Sequence, residues 1–262
     1  MPVYQMHAHQ GGRLCAAGGG EGWKDPAGAA QELPRILRNT QKQARMGQKM
    51  NAVIFTGGQV FADSAAELEL PADARIIAAD SGYLTAKRLG VMPELLLGDL
   101  DSLDRSAFPT AEFEAVKKII VPAIKDDTDT QLAVDTALNG GASRITIVGG
   151  LGGRLDHTLS TVFLLEYIAG KNASGVITDG RNRVRLLRGG ETMRTERGGF
   201  RYLSLISLTD TCGGVSISGV FYPLEQVELT RAYSYAVSNE ITADAAEISL
   251  ASGSMLVIES RD

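Results

Sequence analysis

The sequence predicts an α/β fold, a parallel sheet flanked by helices, followed by a C-terminal all-β sandwich. Two observations carry that prediction. From Met50 onward short apolar runs alternate with helix-length stretches, the pattern of βαβ units. After about Gly180 the texture changes to short alternating runs between turn residues, an all-β pattern. The first half is therefore expected to be Rossmann-like, with ligands beyond the carboxyl ends of its strands.

Residues 1–49 stand apart. They hold Gly11-Gly12, Gly18-Gly19-Gly20, scattered Gln and the single tryptophan, Trp23, with no hydrophobic period before Leu33. A poorly ordered, dispensable N-terminal extension is expected there, ahead of an α/β domain at 50–180 and a β-sandwich domain at 181–262. Met50 sits just before Ala52, Val53, Ile54 and Phe55, the first strand-like run.

The expected strands of the first half are Ala52–Thr56, Arg75–Ala79, Glu94–Leu97, Lys118–Pro122, Arg144–Val148 and Val176–Thr178. Between them, Tyr83–Leu89 is closed by Gly90 and Asp129–Leu138 by Asn139-Gly140-Gly141. Leu155–Ala169 carries Leu159, Val162, Phe163 and Tyr167 on one face and is closed by Gly170. The expected strands of the second half are Val184–Leu187, Tyr202–Leu208, Val215–Ile217, Val227–Thr230, Glu247–Leu250 and Met255–Glu259.

At 262 residues and 44% hydrophobic, the chain has ample material for a core. Residues 1–49 hold seven Lys or Arg against three Asp or Glu, so the remainder is net −9. A body this acidic argues against nucleic acid as a partner, because binding a phosphate backbone needs a basic face. Cys15 and Cys212 show neither redox-pair nor zinc-ligand spacing. No stretch reaches the roughly 20 apolar residues that span a bilayer, and no apolar signal segment opens the chain. A cytoplasmic location with no membrane partner is expected.

The loops after the first five strands carry the chemistry. They read Thr56-Gly57-Gly58, Asp80-Ser81-Gly82, Gly98-Asp99-Leu100-Asp101-Ser102, Lys125-Asp126-Asp127-Thr128-Asp129 and Gly149-Gly150-Leu151-Gly152-Gly153-Arg154-Leu155-Asp156-His157. Each has a local explanation. The D-x-D pair Asp99 and Asp101 is also a polar turn, with Ser102 or Asp104 capping the next helix, and Asp80 can cap the helix from Tyr83. Thr128 and Gln131 form a T-x-x-Q capping box with Asp129 in the first turn, Arg154 and Asp156 make a surface pair, and His157 suits packing or capping. A parallel sheet, however, brings all five loops to one edge. Acids there can hold Mg²⁺ against phosphate oxygens, glycines let backbone N–H groups approach, and an Arg offers a bidentate fork. No G-x-x-x-x-G-K-[ST] loop and no kinase-type glycine loop with H-R-D occurs.

Taken together, the segments ADSGYLTAKRLGVMPELLLGDLDSLD (79–104), KDDTDTQLAVDTAL (125–138), GGLGGRLDHTLS (149–160), GVFYPLE (219–225) and VSNE (237–240) closely resemble the thiamine pyrophosphokinase (thiamine diphosphokinase) family. The resemblance runs in order from about Met50 to the C-terminus. It implies a nucleotide-binding catalytic domain at 50–180, a thiamine-binding sandwich at 181–262, and a homodimer with active sites at the subunit interface. It also implies Mg²⁺-dependent transfer of pyrophosphate from ATP to thiamine, releasing AMP. Asp99, Asp101 and Asp129 match the metal and phosphate-site acids. Asp80, Lys125, Arg154 and Asp156 match the surrounding nucleotide-site positions, beside Ser102, Thr128 and His157 of the same motifs. Ser238 and Asn239 match an S-N pair that helps form the thiamine pocket of the partner subunit's site. Two departures stand out: Thr161 occupies a usual Asn position, and Ser81 a usual Gly position.

On this reading the thiamine hydroxyl attacks the β-phosphorus in line while Arg154 or Lys125 steadies the AMP side or the transferred group. The general base stays open between an Asp near the metal and His157. Two rival readings stand beside it. A non-catalytic nucleotide or thiamine sensor would keep the glycines and the C-terminal pocket but lose acids, and every matched acid is present. A haloacid-dehalogenase-like phosphatase wants its D-x-D after the first strand, whereas Asp99 and Asp101 follow the third.

Overall fold

The computed structural model describes residues 50–98, 114–120 and 127–262. Leu95, Leu96 and Leu97 show how its main sheet is built. All three are at most 2% exposed, since strand side chains alternate and both faces here are covered. Leu95 and Leu97 join the large core cluster with Ala133, Val134 and Ala137, and Leu96 packs on the other side with Ala78, Tyr83 and Val116.

Six parallel strands form this half of the sheet. β1 (Met50–Phe55) lies between β2 (Arg75–Ala79) and β5 (Ala142–Val148). β3 (Leu95–Gly98) and β4 (Lys117–Ile120) extend one side, and β6 (Ser174–Thr178) the other. The order β4-β3-β2-β1-β5-β6 reverses direction between β1 and β5, which makes their carboxyl ends a topological switch point. α1 (Gly82–Arg88), α2 (Asp129–Asn139) and α3 (Leu155–Gly170) cover the faces. Of the expected α3 face, Leu159, Val162, Phe163 and Tyr167, only Val162 packs against the core, and the other three point outward. The core instead takes Thr161, Leu164, Leu165 and Ile168, because α3 has apolar residues on both sides and the sheet selects one.

The sheet does not stop at β6. β7 (Asn182–Arg188) pairs with β6 antiparallel, and β14 (Ser254–Ser260), β9 (Tyr202–Ser207) and β12 (Asn239–Glu240) follow, giving a mixed sheet of ten strands. The tight turn into β7 is held by Asp179, 4% exposed, whose carboxylate accepts from the N–H groups of Arg181 and Asn182 at 2.8 and 2.7 Å. A four-stranded antiparallel sheet of β11 (Leu224–Thr230), β10 (Thr211–Ser218), β13 (Ala245–Ser249) and β8 (Thr192–Glu196) packs against this extension. Leu203, Leu205, Met255 and Val257 meet Val215, Ile217, Leu229 and Ile248 in the resulting sandwich core. β8 was not legible in the sequence: Thr192-Met193-Arg194-Thr195-Glu196 is a mostly polar strand that, among the described residues, pairs with β13 alone.

Candidate functional site

At the carboxyl ends of β1, β2, β3 and β5 the loops touch so closely that glycine is required. A Cβ on Gly58 would strike the Gly149 carbonyl, one on Gly82 the Phe55 carbonyl, and one on Gly57 the Ser81 hydroxyl. Gly98 has φ +147°, and a Cβ there would sit 3.3 Å from both Cα and Cβ of Asp80. Four of the five predicted loops are thus in direct contact, as a parallel sheet requires. Gly82→Ala is expected to cost about 3 kcal/mol in urea unfolding, because the added methyl meets backbone rather than a movable side chain. Gly170→Ala, where a Cβ meets nothing within 4 Å, is expected to be neutral or to stabilise by up to about 1 kcal/mol.

Asp80 lies at the centre of this contact. Its N–H donates to the Leu97 carbonyl at 2.7 Å, its carbonyl accepts from the Tyr83 N–H at 3.2 Å, and its φ is +48°. A non-glycine residue in that left-handed region carries strain that the surrounding structure has to hold in place. Asp129 opens α2, where a carboxylate complements the helix dipole. Thr128 caps that helix, its hydroxyl accepting from the Gln131 N–H at 3.1 Å. The reciprocal half of the expected capping box is not made, because the Gln131 amide turns to Asp135 instead, at 3.2 Å. Among the described residues no group of three His, Cys, Asp or Glu side chains is placed to hold a metal. Asp99, Asp101, Ser102 and Lys125 lie outside the described residues.

The fifth-strand loop turns through Gly149, Gly152 and Gly153, all at positive φ, and ends in Arg154. Arg154 grips Asp156 with two bonds, Nε to Oδ1 at 3.1 Å and Nη2 to Oδ2 at 2.6 Å, and the His157 N–H donates to Oδ1 at 3.0 Å. The Arg154 guanidinium foremost, with the His157 N–H, holds the Asp156 carboxyl below its usual range, so the pair stays charged at neutral pH. Both side chains are well exposed, and such a pair contributes little stability. Its effect is to orient the guanidinium, with Nη1 outside the pair. Thr161 faces inward: its hydroxyl donates to the His157 carbonyl at 2.8 Å, and its methyl packs over Gly150.

Asn239 opens β12 at the opposite edge of the sheet from these loops, and Ser238 stands just before it. Asn239 is 7% exposed, and its amide is used up on the neighbouring aromatic turn. Oδ1 accepts from the Tyr222 N–H at 3.0 Å, and Nδ2 donates to the Tyr222 carbonyl at 2.8 Å. Ser238, at φ +60°, donates its N–H to Ser204 Oγ at 2.9 Å. Asn239 therefore shapes the Phe221-Tyr222 turn, whose rings meet edge to face at 4.8 Å and stay exposed. Nothing local in the sequence signals that Asn239 holds this turn or gives Tyr222 a role.

Comparison with known proteins places the chain in a family. The family model "Thiamin pyrophosphokinase, catalytic domain" matches residues 67–177, and "Thiamin pyrophosphokinase, vitamin B1 binding domain" matches residues 191–255. The thiamine pyrophosphokinase of Bacillus subtilis is 30% identical over 186 residues, 71% of this chain and 87% of that protein. The crystal structure of a Bacillus subtilis thiamine pyrophosphokinase superposes with a TM-score of 0.71 at 26% identity, covering 81% of this chain and 99% of the other. The Geobacillus thermodenitrificans structure gives 0.71 at 28% identity, covering 81% and 98%. With both domain models matched in order, and a strand-end site and aromatic turn in the halves they cover, the chain belongs to the thiamin pyrophosphokinase family.

Proposed function

We propose that this protein transfers pyrophosphate from ATP to the hydroxyl of thiamine, releasing AMP, with residues 50–180 binding the nucleotide and 181–262 contributing the thiamine pocket. The observation that carries the reading is the glycine-only contact of four loops at the switch point, in a chain of this family. Loops packed without side chains let backbone N–H groups approach phosphates. The donor set suits Mg²⁺, a hard cation that prefers carboxylate oxygen, and Gly98 starts the Asp99–Asp101 loop against Asp80. Asp99, Asp101 and Asp129 would hold the ion, which would neutralise charge on the phosphate oxygens. Arg154, oriented by Asp156, offers Nη1 to a phosphate oxygen, and Lys125 adds a second cation. An assay with thiamine, ATP and Mg²⁺ should yield AMP and thiamine diphosphate in equal amounts. Binding of both substrates without AMP release would replace the enzyme with a sensor.

The site is proposed to form between two copies of the chain in a homodimer. Asn239 on β12 and Asp80 after β2 are seven strand spacings apart in one sheet, roughly 34 Å at about 4.8 Å per spacing. One chain cannot bring them to a single thiamine molecule. Each end also carries exposed apolar surface: Leu155, Leu159, Phe163 and Tyr167 run along α3 from the Arg154 loop, Phe221 and Tyr222 form the turn held by Asn239, and Tyr233 and Tyr235 precede β12. A twofold pair would lay one patch on the other twice. Asp101→Asn and Asn239→Ala chains, each nearly inactive alone, are expected to recover roughly a quarter of wild-type turnover when co-expressed, since mixed dimers hold one intact site. No recovery in mixed dimers would place each site within one chain.

A further inference from the structure

A second, chemically different hollow opens on the sheet face turned away from α3. Strand side chains alternate, so Ile145, Ile177 and Val184 face the helix while Thr146, Val176, Thr178, Arg183 and Arg185 face the other way. They line a cavity of about 280 Å³, which continues past Thr146 and Val176 into a hollow of about 170 Å³ beside Arg144.

Three arginines, Arg183, Arg185 and Arg261, line this cavity, with Glu67 and Glu69 among its other lining residues. Arg183 donates to Glu259 through Nε and Nη2 at 2.7 Å each, and Arg185 donates to the same carboxylate through Nη2 at 2.7 Å. Glu259 is 2% exposed, so two guanidinium groups share one buried carboxylate, and the buried Arg185 Nε–H has no acceptor among the described residues. Arg261, a third lining cation, donates to the Gly180 carbonyl at 2.8 Å and has no carboxylate partner among the described residues. At the rim, Arg183 Nη1 meets Glu69 at 3.0 Å, and that carboxylate is 76% exposed. Glu69 is itself held at φ +52°, and Glu67 beside it bonds its own turn through Ser64.

We propose that this groove binds a phosphate group, free or carried by a small phosphorylated molecule, at a site separate from the strand-end loops. A phosphate accepts the planar fork of an arginine, offsets the charge that one Glu259 leaves over, and takes the place of the exposed Glu69 carboxylate on Arg183. None of the strand-end candidates Asp80, Asp129, Arg154 or Asp156 lines the cavity.

Calorimetric titration of the full chain with inorganic phosphate, at ionic strength held constant with chloride, tests the proposal. Saturable binding is expected, persisting at saturating ATP and Mg²⁺, and weakened about tenfold by Arg261→Gln with turnover unchanged. Arg183→Gln should weaken it likewise, and Arg261→Gln decides the matter should loss of Arg183 disturb the fold. Glycerol phosphate binding more tightly than inorganic phosphate identifies an ester as the occupant, the reverse order identifies the free ion, and both support the site. Absence of saturable binding, equal affinity in Arg261→Gln, or loss of binding on adding ATP overturns it.

Discussion

Asp101→Asn is expected to lower thiamine diphosphate formation about a thousandfold, by removing charge stabilisation from the transferring phosphoryl group. Asn keeps the shape and one oxygen but loses the charge a hard cation needs. The substitution removes one charge and keeps the side-chain volume, and the loop that carries it begins at Gly98, which packs against the Asp80 backbone. The thermal midpoint should therefore stay within a few degrees of wild type. AMP release under saturating substrates measures the first effect and a circular-dichroism melt the second. Near-normal turnover in a folded variant would remove the metal-site assignment.

Glu259→Ala is expected to cost about 3–5 kcal/mol in urea unfolding, the usual penalty for leaving a buried ion group without its partner. Two buried or half-buried arginines lose their shared acceptor at once, and the residue joins β14 to β7 in the stretch of sheet that links the two halves of the chain. Replacing all three residues, Arg183→Met, Arg185→Met and Glu259→Leu, should recover most of that loss, because an apolar trio of similar volume has no charge to desolvate. Failure of the triple variant to recover would mean that the bonds themselves, and not the unpaired charge, carry the stability. The same variant should no longer bind phosphate in the groove.

Much of the α/β half was legible because its signals are local. Leu95–Leu97 read as a buried strand, Thr128 as a helix cap, and the glycine pairs as turns, since each depends on residues within one turn or one strand. The second half was read less completely. The polar strand β8 has no apolar run to mark it, and β12 is two residues long. α3 displays the limit of periodicity: Leu159, Phe163 and Tyr167 keep helical spacing as well as Leu164 and Ile168 do, and the sheet buries the second set.

The sequence by itself determined much of the order of strands and helices in the α/β half, the loops that carry acid, glycine and arginine, and the family to which their combination belongs. These follow from spacing, side-chain type and backbone freedom, which act over a few residues. Only the tertiary structure decided that the sheet runs on from the α/β half into the sandwich, that Asn239 lies seven strands from Asp80, and that Arg183 and Arg185 share Glu259 across 76 and 74 residues of chain. Those outcomes depend on which strand pairs with which, a choice made by the burial of whole faces and not by any short stretch of residues.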